Sequence, residues 1–229
     1  MIQHLAFIMD GNRRWAKKQG LLPFFGHNKG AEAIKHVVNF CLKSDIKYVS
    51  LYTFSLENLK RPALEVSYLF DLLINEAHKK LDQFIEQGVR VRFIGDRQLF
   101  PNNAAITIAM VEEKTAECNA LNLNILFCYG ARQEIVGGIK KLFTNIKAGL
   151  VALEDLSEDL FKQYLWTAEI PEPELIIRTG GFKRLSNFLL YQAAYSELHF
   201  IDCLWPEITQ EHMQIAVDSY IQTQRNFGG

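Results

Sequence analysis

Residues 48–96 read YVSLYTFSLENLKRPALEVSYLFDLLINEAHKKLDQFIEQGVRVRFIGD. The opening run, Tyr48 to Phe54, is short and rich in branched and aromatic residues, the pattern of a buried strand. A polar loop follows, and Pro62 suits the opening of a helix. Val66, Leu69, Leu73, Ala77, Leu81 and Phe84 then fall on one stripe at helical spacing, which predicts a helix over 63–87. The run at 89–95 returns to strand composition. Strand, helix, strand is the unit from which parallel sheets are built.

The same alternation extends in both directions. Further strands are expected over 4–9, 122–129, 174–179 and 197–202. Further helices are expected over 31–43, 104–120, 132–147, 157–166, 186–195 and 209–224. The strands are apolar on both faces, as strands covered by helices on either side must be. No repeat, low-complexity tract or Pro/Gly/Ser-rich linker interrupts the series. The expectation is one α/β domain over 1–229, with a six-stranded, mainly parallel sheet flanked by helices.

Composition bounds the function. The chain has 229 residues, 48% hydrophobic and 22% charged, which excludes a disordered chain, a collagen-like repeat and a disulfide mini-scaffold. Its 25 basic and 26 acidic residues leave a net charge of -1. That argues against binding nucleic acid by bulk charge. Cys41, Cys118, Cys128 and Cys203 lie far apart in apolar stretches. No CxxC pair suggests zinc, and buried reduced thiols fit the cytoplasm. No apolar run reaches the roughly 18 residues of a membrane span, so contact with lipid is expected to be peripheral.

In open parallel sheets, ligands gather outside the carboxyl ends of the strands. Asp10-Gly11-Asn12-Arg13-Arg14 follows the first strand, and a loop from Ser55 through Asn58 to Arg61 follows the second. Asp96-Arg97 follows the third, and Gly130-Ala131-Arg132 the fourth. Arg178 closes the fifth, with Gly180, Gly181, Lys183 and Arg184 behind it. Nearly every strand delivers arginine to one rim. Polar loops are ordinary, but scattered surface charge does not prefer one end of a sheet. Arginine forks match phosphate oxygens, and glycines let backbone N–H groups approach them. The rim reads as a polyanion site.

Asp10 admits two readings from spacing alone. It could hold magnesium shared with a diphosphate, or it could be half of an Asp-Gly turn or a helix cap. The neighbouring arginines favour the first. The histidines form no triad-like pattern with a serine. A phosphate-binding rim with one candidate metal carboxylate and no base–nucleophile pair suggests a reaction driven by loss of diphosphate.

The blocks HLAFIMDGNRRWAKKQG, GHNKGAEAI, LYTFSLENLKRP, RFIGD, LNILFCYGARQEIV and RTGGFKRLSNFLLYQAAYSELHFIDCLWPE together resemble the cis-prenyltransferases. The resemblance runs in family order from about His4 to the C-terminus. It implies a magnesium enzyme that adds isopentenyl diphosphate in cis to an allylic diphosphate such as farnesyl diphosphate. The product would be a long polyprenyl diphosphate, such as undecaprenyl diphosphate, for cell-wall carrier lipid. The family lacks the DDxxD motif of trans-prenyltransferases, and so does this chain.

The resemblance also assigns residues. It puts the allylic diphosphate on Gly11, Asn12, Arg13, Arg14, Trp15, His27 and Arg61. Asp10 would hold Mg2+ and assist departure of diphosphate, with Ser55 and Asn58 organising proton removal and substrate position. Arg178, Arg184 and Ser186 would grip isopentenyl diphosphate, and Glu197 would serve the second substrate and the metal. The stripe on 63–87 would line a tunnel for the hydrocarbon tail, with 31–43 as the facing wall and Leu121 near the closed end. On pattern alone such a stripe is plain core. The last five residues, 225–229, would reach into the partner of a homodimer, and peripheral membrane contact would accompany product release.

The chain departs from the family at four places. Pro23 stands where an arginine is usual, and Leu59 where a tryptophan is usual. Phe182 and Lys183 replace an acid and its neighbour before Arg184. Two other readings compete. A non-catalytic subunit would usually lack part of the allylic diphosphate motif, which is present here. A magnesium-dependent phosphohydrolase would want a second carboxylate at position 12, where Asn12 stands. A nicotinamide-binding fold lacks its GxGxxG.

Overall fold

Six parallel strands form the sheet: β1 (His4–Ile8), β2 (Tyr48–Ser55), β3 (Val89–Ile94), β4 (Leu121–Tyr129), β5 (Leu175–Arg178) and β6 (Glu197–Phe200). Their order is β3-β4-β2-β1-β5-β6. Seven helices accompany them in this computed structural model, which describes residues 2–223: α1 (Asn12–Lys18), α2 (Pro23–Lys43), α3 (Ala63–Glu86), α4 (Asn102–Lys114), α5 (Ala131–Lys147), α6 (Glu158–Lys162) and α7 (Gln210–Gln222). The sheet is wholly rather than mainly parallel. All of β1 and nearly all of β4 are buried, as strands with helices on both faces must be. The segment 225–229, expected to reach a partner, lies outside the described residues.

One core layer lies beneath α2, α3, α4 and α7. The other holds Tyr52, Tyr129, Ile176 and Phe188 against the opposite face. The sheet order places the site. From β1 the chain moves towards β2. From the adjacent β5 it moves the other way, to β6. Neighbouring strands whose connections diverge leave a crevice outside their carboxyl ends. Asp10 follows one of these strands and Thr179 follows the other.

Four expected helices differ: α4 ends at Lys114 rather than 120, α6 ends at Lys162 rather than 166, and two depart further. α2 begins at Pro23, eight residues before the expected start, because Gly26 and Gly30 are packing residues rather than breakers. A Cβ on Gly26 would fall 2.0 Å from the Asn12 carbonyl oxygen, and one on Gly30 2.3 Å from Asn12 Oδ1. Their absence lets α2 lie directly on α1. The helix expected over 186–195 does not form. Ser186, Asn187 and Leu189 have φ of 53°, 67° and 44°, and left-handed residues cannot propagate a right-handed helix. Among the described residues, no helix is long and apolar enough to cross a membrane.

Candidate active site

Arg178 anchors the crevice. It is the last residue of β5 and only 4% exposed. Its Nη2 donates to Asp10 Oδ2 at 2.8 Å. Its Nη1 donates to Ser186 Oγ at 2.8 Å and to the Arg184 carbonyl. This explains the strained loop: left-handed Ser186 turns both acceptors onto one guanidinium. Asn187 fastens the loop further, donating to Glu57 Oε1 at 2.8 Å and accepting from the Arg132 N–H at 2.9 Å.

Arg14 approaches Asp10 from the other side. Its Nη2 donates to Asp10 Oδ1 at 3.2 Å and its Nη1 to the Gly180 carbonyl at 2.8 Å. Asp10 is thus clamped between two arginines. Its backbone is fixed by Thr179, whose hydroxyl donates to the Asp10 carbonyl at 2.8 Å, and by the Trp205 N–H at 3.0 Å. Gly11 is required on two counts. Its φ is 119°, and a Cβ there would meet Leu204 Cβ at 2.9 Å.

A third cluster lies where α1, α2 and α3 meet. Glu65 Oε1 is 3.1 Å from His27 Nε2, 3.2 Å from Arg61 Nη1 and 3.9 Å from Arg13 Nε. Glu65 is buried, so one hidden carboxylate orients three cationic or polar groups towards the crevice. Burial, outweighing the bond to Glu65, holds His27 below the usual histidine range, so it stays neutral near pH 7 and donates from Nε2. On the loop after β2, the Ser55 N–H donates to Asn58 Oδ1 at 3.2 Å, part of a capping box that fixes the Asn58 amide.

These groups surround one polar cleft. It is lined by Asp10, Gly11, Asn12, Arg13, Arg14, His27, Ser55, Asn58, Arg61, Arg178, Arg184 and Ser186. Of the rim expected from the strand ends, Asp96, Arg97, Gly130, Ala131, Arg132, Gly180, Gly181 and Lys183 do not line the cleft. Of the residues that the resemblance assigned to substrate or metal, all line it except two. Trp15 lies half-buried on α1 outside the cleft lining. Glu197 pairs with Leu175 at the amino end of β5, three positions before Phe200, the partner of Arg178. That is about 10 Å back from the rim, so the fold does not bring Glu197 to Asp10 within one chain. Pro23 lines the cleft without a donor, and Lys17 joins it as a cation not anticipated. Glu65 was also missed; its signal was the i,i+4 spacing from Arg61.

The cleft continues inward. Met9, Asn12, His27 and Thr53 also line the mouth of a second cavity, whose walls are mostly apolar residues of α2, α3 and the sheet. The expected tunnel walls therefore do enclose space. Leu121, expected near its closed end, is fully buried at the start of β4 and is not among the lining residues.

The residues present suit a magnesium ion in one way only. Among the described residues, Asp10 is the sole carboxylate lining the polar cleft. Among the described residues no three His, Cys, Asp or Glu side chains converge to form a cage. Each Asp10 oxygen has one arginine bond and retains acceptor capacity. Magnesium accepts one carboxylate when substrate phosphates and water complete its shell.

The sequence and the fold match known proteins. The family model described as "Putative undecaprenyl diphosphate synthase" matches residues 8–228. The chain is 44% identical to an isoprenyl transferase of Clostridium perfringens, covering 100% of this chain and 90% of that protein. It is 42% identical to the farnesyl-diphosphate-specific ditrans,polycis-undecaprenyl-diphosphate synthase of Haemophilus ducreyi, covering 100% and 95%. Lavandulyl diphosphate synthase from Lavandula x intermedia superposes with a TM-score of 0.97 at 28% identity, covering 100% and 98% of the chains. A probable undecaprenyl diphosphate synthase from Campylobacter jejuni superposes with 0.83 at 33% identity, covering 100% and 99%. With a cluster of arginines at the mouth of an apolar cavity, and matches that span it from end to end, this chain belongs to the undecaprenyl diphosphate synthase family of cis-prenyltransferases.

Proposed function

We propose that this cis-prenyltransferase extends farnesyl diphosphate with successive isopentenyl diphosphate units, using Mg2+, to a long polyprenyl diphosphate of the undecaprenyl type. The observation that carries this reading is the position of Asp10, clamped by Arg14 and Arg178 where the polar cleft opens into the apolar cavity. A diphosphate head and a hydrocarbon tail need such a junction.

In this reading Gly11, Asn12, Arg13, Arg14, Arg61 and neutral His27 receive the allylic diphosphate, with its tail in the cavity. Arg178, Arg184 and Ser186 receive the second diphosphate across Asp10. The two heads then lie on opposite sides of one carboxylate, which brings the reacting carbons together. Asp10 would hold Mg2+, which would supply neutralisation of the leaving group's charge. The arginines stabilise the same developing charge at fixed positions, without reorganisation. The apolar walls keep water from the electron-poor allylic carbon. Asn58, fixed by the Ser55 N–H, orients the second substrate for loss of its proton to a released or bound diphosphate oxygen. Trp15 and Glu197 have no role here within one chain. The reading includes a homodimer in the cytoplasm with peripheral membrane contact at product release; four unpaired cysteines fit a reducing compartment.

The test is incubation with farnesyl diphosphate, labelled isopentenyl diphosphate and Mg2+, with and without chelator. Products are dephosphorylated and sized. A chelator-sensitive ladder ending at one long chain is expected. Asp10→Ala should lower turnover by about two to four orders of magnitude while circular dichroism stays native. A folded wild-type chain that extends no primer would overturn the reading in favour of a non-catalytic subunit.

A further inference from the structure

Beyond its mouth, the cavity is lined by side chains such as Ile34, Leu73, Ala77, Phe84, Phe93 and Ile125. Glu76 and Lys80 interrupt this wall. They sit on α3, with side chains only 23% and 16% exposed. Lys80 Nζ lies 2.8 Å from Glu76 Oε2. The ammonium also donates to the Ala31 carbonyl on α2 at 2.8 Å. Glu76 Oε2 itself is buried and makes no hydrogen bond of good geometry, so its contact with Lys80 is coulombic. At 1.5 Å per helical residue, Glu76 lies about 10 Å beyond Leu69 and Lys80 about 16 Å. The pair therefore stands partway along the cavity, before Phe84.

We propose that the Glu76–Lys80 pair is the element that sets how far the hydrocarbon tail can grow. The inference rests on the enzyme reading above. A tail that extends past the pair must cover a carboxylate and an ammonium with methyl and methylene groups. These offer no hydrogen bond in exchange for the water excluded, so each further unit meets an opposing desolvation cost. The Lys80–Ala31 bond adds a mechanical limit. It ties α3 to α2, the two helical walls, so the cavity cannot widen without breaking it.

The test compares product lengths from wild type, Glu76→Leu/Lys80→Leu and Glu76→Gln/Lys80→Met under identical conditions, with thermal melts of each. Replacing both charges leaves no buried ion unpaired, since Lys79, 3.8 Å from Glu76 Oε1, is 71% exposed and stays solvated, and such exchanges are commonly tolerated. Both variants should extend the longest product by at least one five-carbon unit. The fraction of chains beyond the wild-type limit should rise roughly tenfold. If the leucine pair fails to fold, the near-isosteric pair carries the test. Folded, active variants with the wild-type length distribution, or with shorter products, would overturn the proposal. Failure of the wild-type chain to extend any primer would instead overturn the enzyme reading on which it rests.

Discussion

Phe182 is one of the four positions at which the resemblance leads one to expect another residue, here an acid. Its aromatic ring receives two guanidiniums, with Arg14 Cζ 4.7 Å and Arg184 Cζ 4.5 Å from its centroid. An acid would neutralise these arginines; the ring holds them by its quadrupole and leaves their charge available to diphosphate. At exposed positions such contacts contribute about 0.5–1 kcal/mol, or a factor of roughly two to five in affinity. Phe182→Leu should therefore raise KM for a diphosphate substrate by about that factor with little change in kcat, and Phe182→Trp should restore it. Equal KM values across the series would show that the ring merely fills space. At this scale the arginines after β1, β2 and β5 were legible in the sequence, but the same pattern failed after β3 and β4: Arg97 bonds Glu112 and the Phe93 carbonyl, and neither it nor Arg132 lines the cleft. Glu65 was not legible, because an acid in the first turn of a helix reads as a solvated residue until the fold buries it against His27 and Arg61. The distance of Glu197 from Asp10 within one chain was not legible for a related reason. A residue's place along a strand depends on register, which local sequence does not encode.

At the scale of elements, the misread boundaries are those where a residue serves a neighbouring element rather than its own. Gly26 and Gly30 weaken α2 as a local helix, yet they allow the contact with α1 that positions Arg13 and Arg14. Trp205 Nε1 donates to the Gly30 carbonyl at 2.8 Å, tying the same turn of α2 to the loop behind Asp10. Gly30→Ala would place a methyl 2.3 Å from Asn12 Oδ1 and 2.9 Å from Trp205 Cδ1. Overpacking of this kind costs about 1–3 kcal/mol. The variant should melt several degrees lower and bind the allylic diphosphate more weakly, because α1 must shift. An unchanged melt and KM would show that the side chains yield without moving the helix. The segment 186–195 teaches the converse. Its apolar spacing is helical, but Arg178 and Asn187 demand left-handed turns, and tertiary hydrogen bonds outweigh local propensity.

For the molecule as a whole, the alternation of strand and helix made a parallel α/β sheet legible, while the strand order was not, since it depends on long crossovers. The order has a consequence far from the active site. It sets β1, β2 and β4 side by side and so aligns His4, Ser50 and Asn124 in a fully buried polar row. His4 Nδ1 lies 2.6 Å from the Pro171 carbonyl oxygen, which can only accept, so Nδ1 carries the proton. Nε2 then accepts from the Ser50 hydroxyl at 2.8 Å, and Ser50 Oγ accepts from Asn124 Nδ2 at 3.1 Å. Burial lowers the His4 pKa to about 4, against about 6.5 in the unfolded chain. The unfolded state therefore binds the extra proton first as the pH falls. Stability from neutral His4 is full above about pH 6.5, declines between 6.5 and 4, and falls no further from this group below 4. The loss is about 3 kcal/mol, a large share of the roughly 5–15 kcal/mol typical of a domain. Urea midpoints measured from pH 7.5 to 4 should fall steeply through this window. His4→Gln should be less stable at pH 7.5 and show a much shallower decline, with buried His27 supplying part of the remainder. A decline as steep in His4→Gln as in wild type would place the acid sensitivity elsewhere and show that the buried row takes up a proton without penalty.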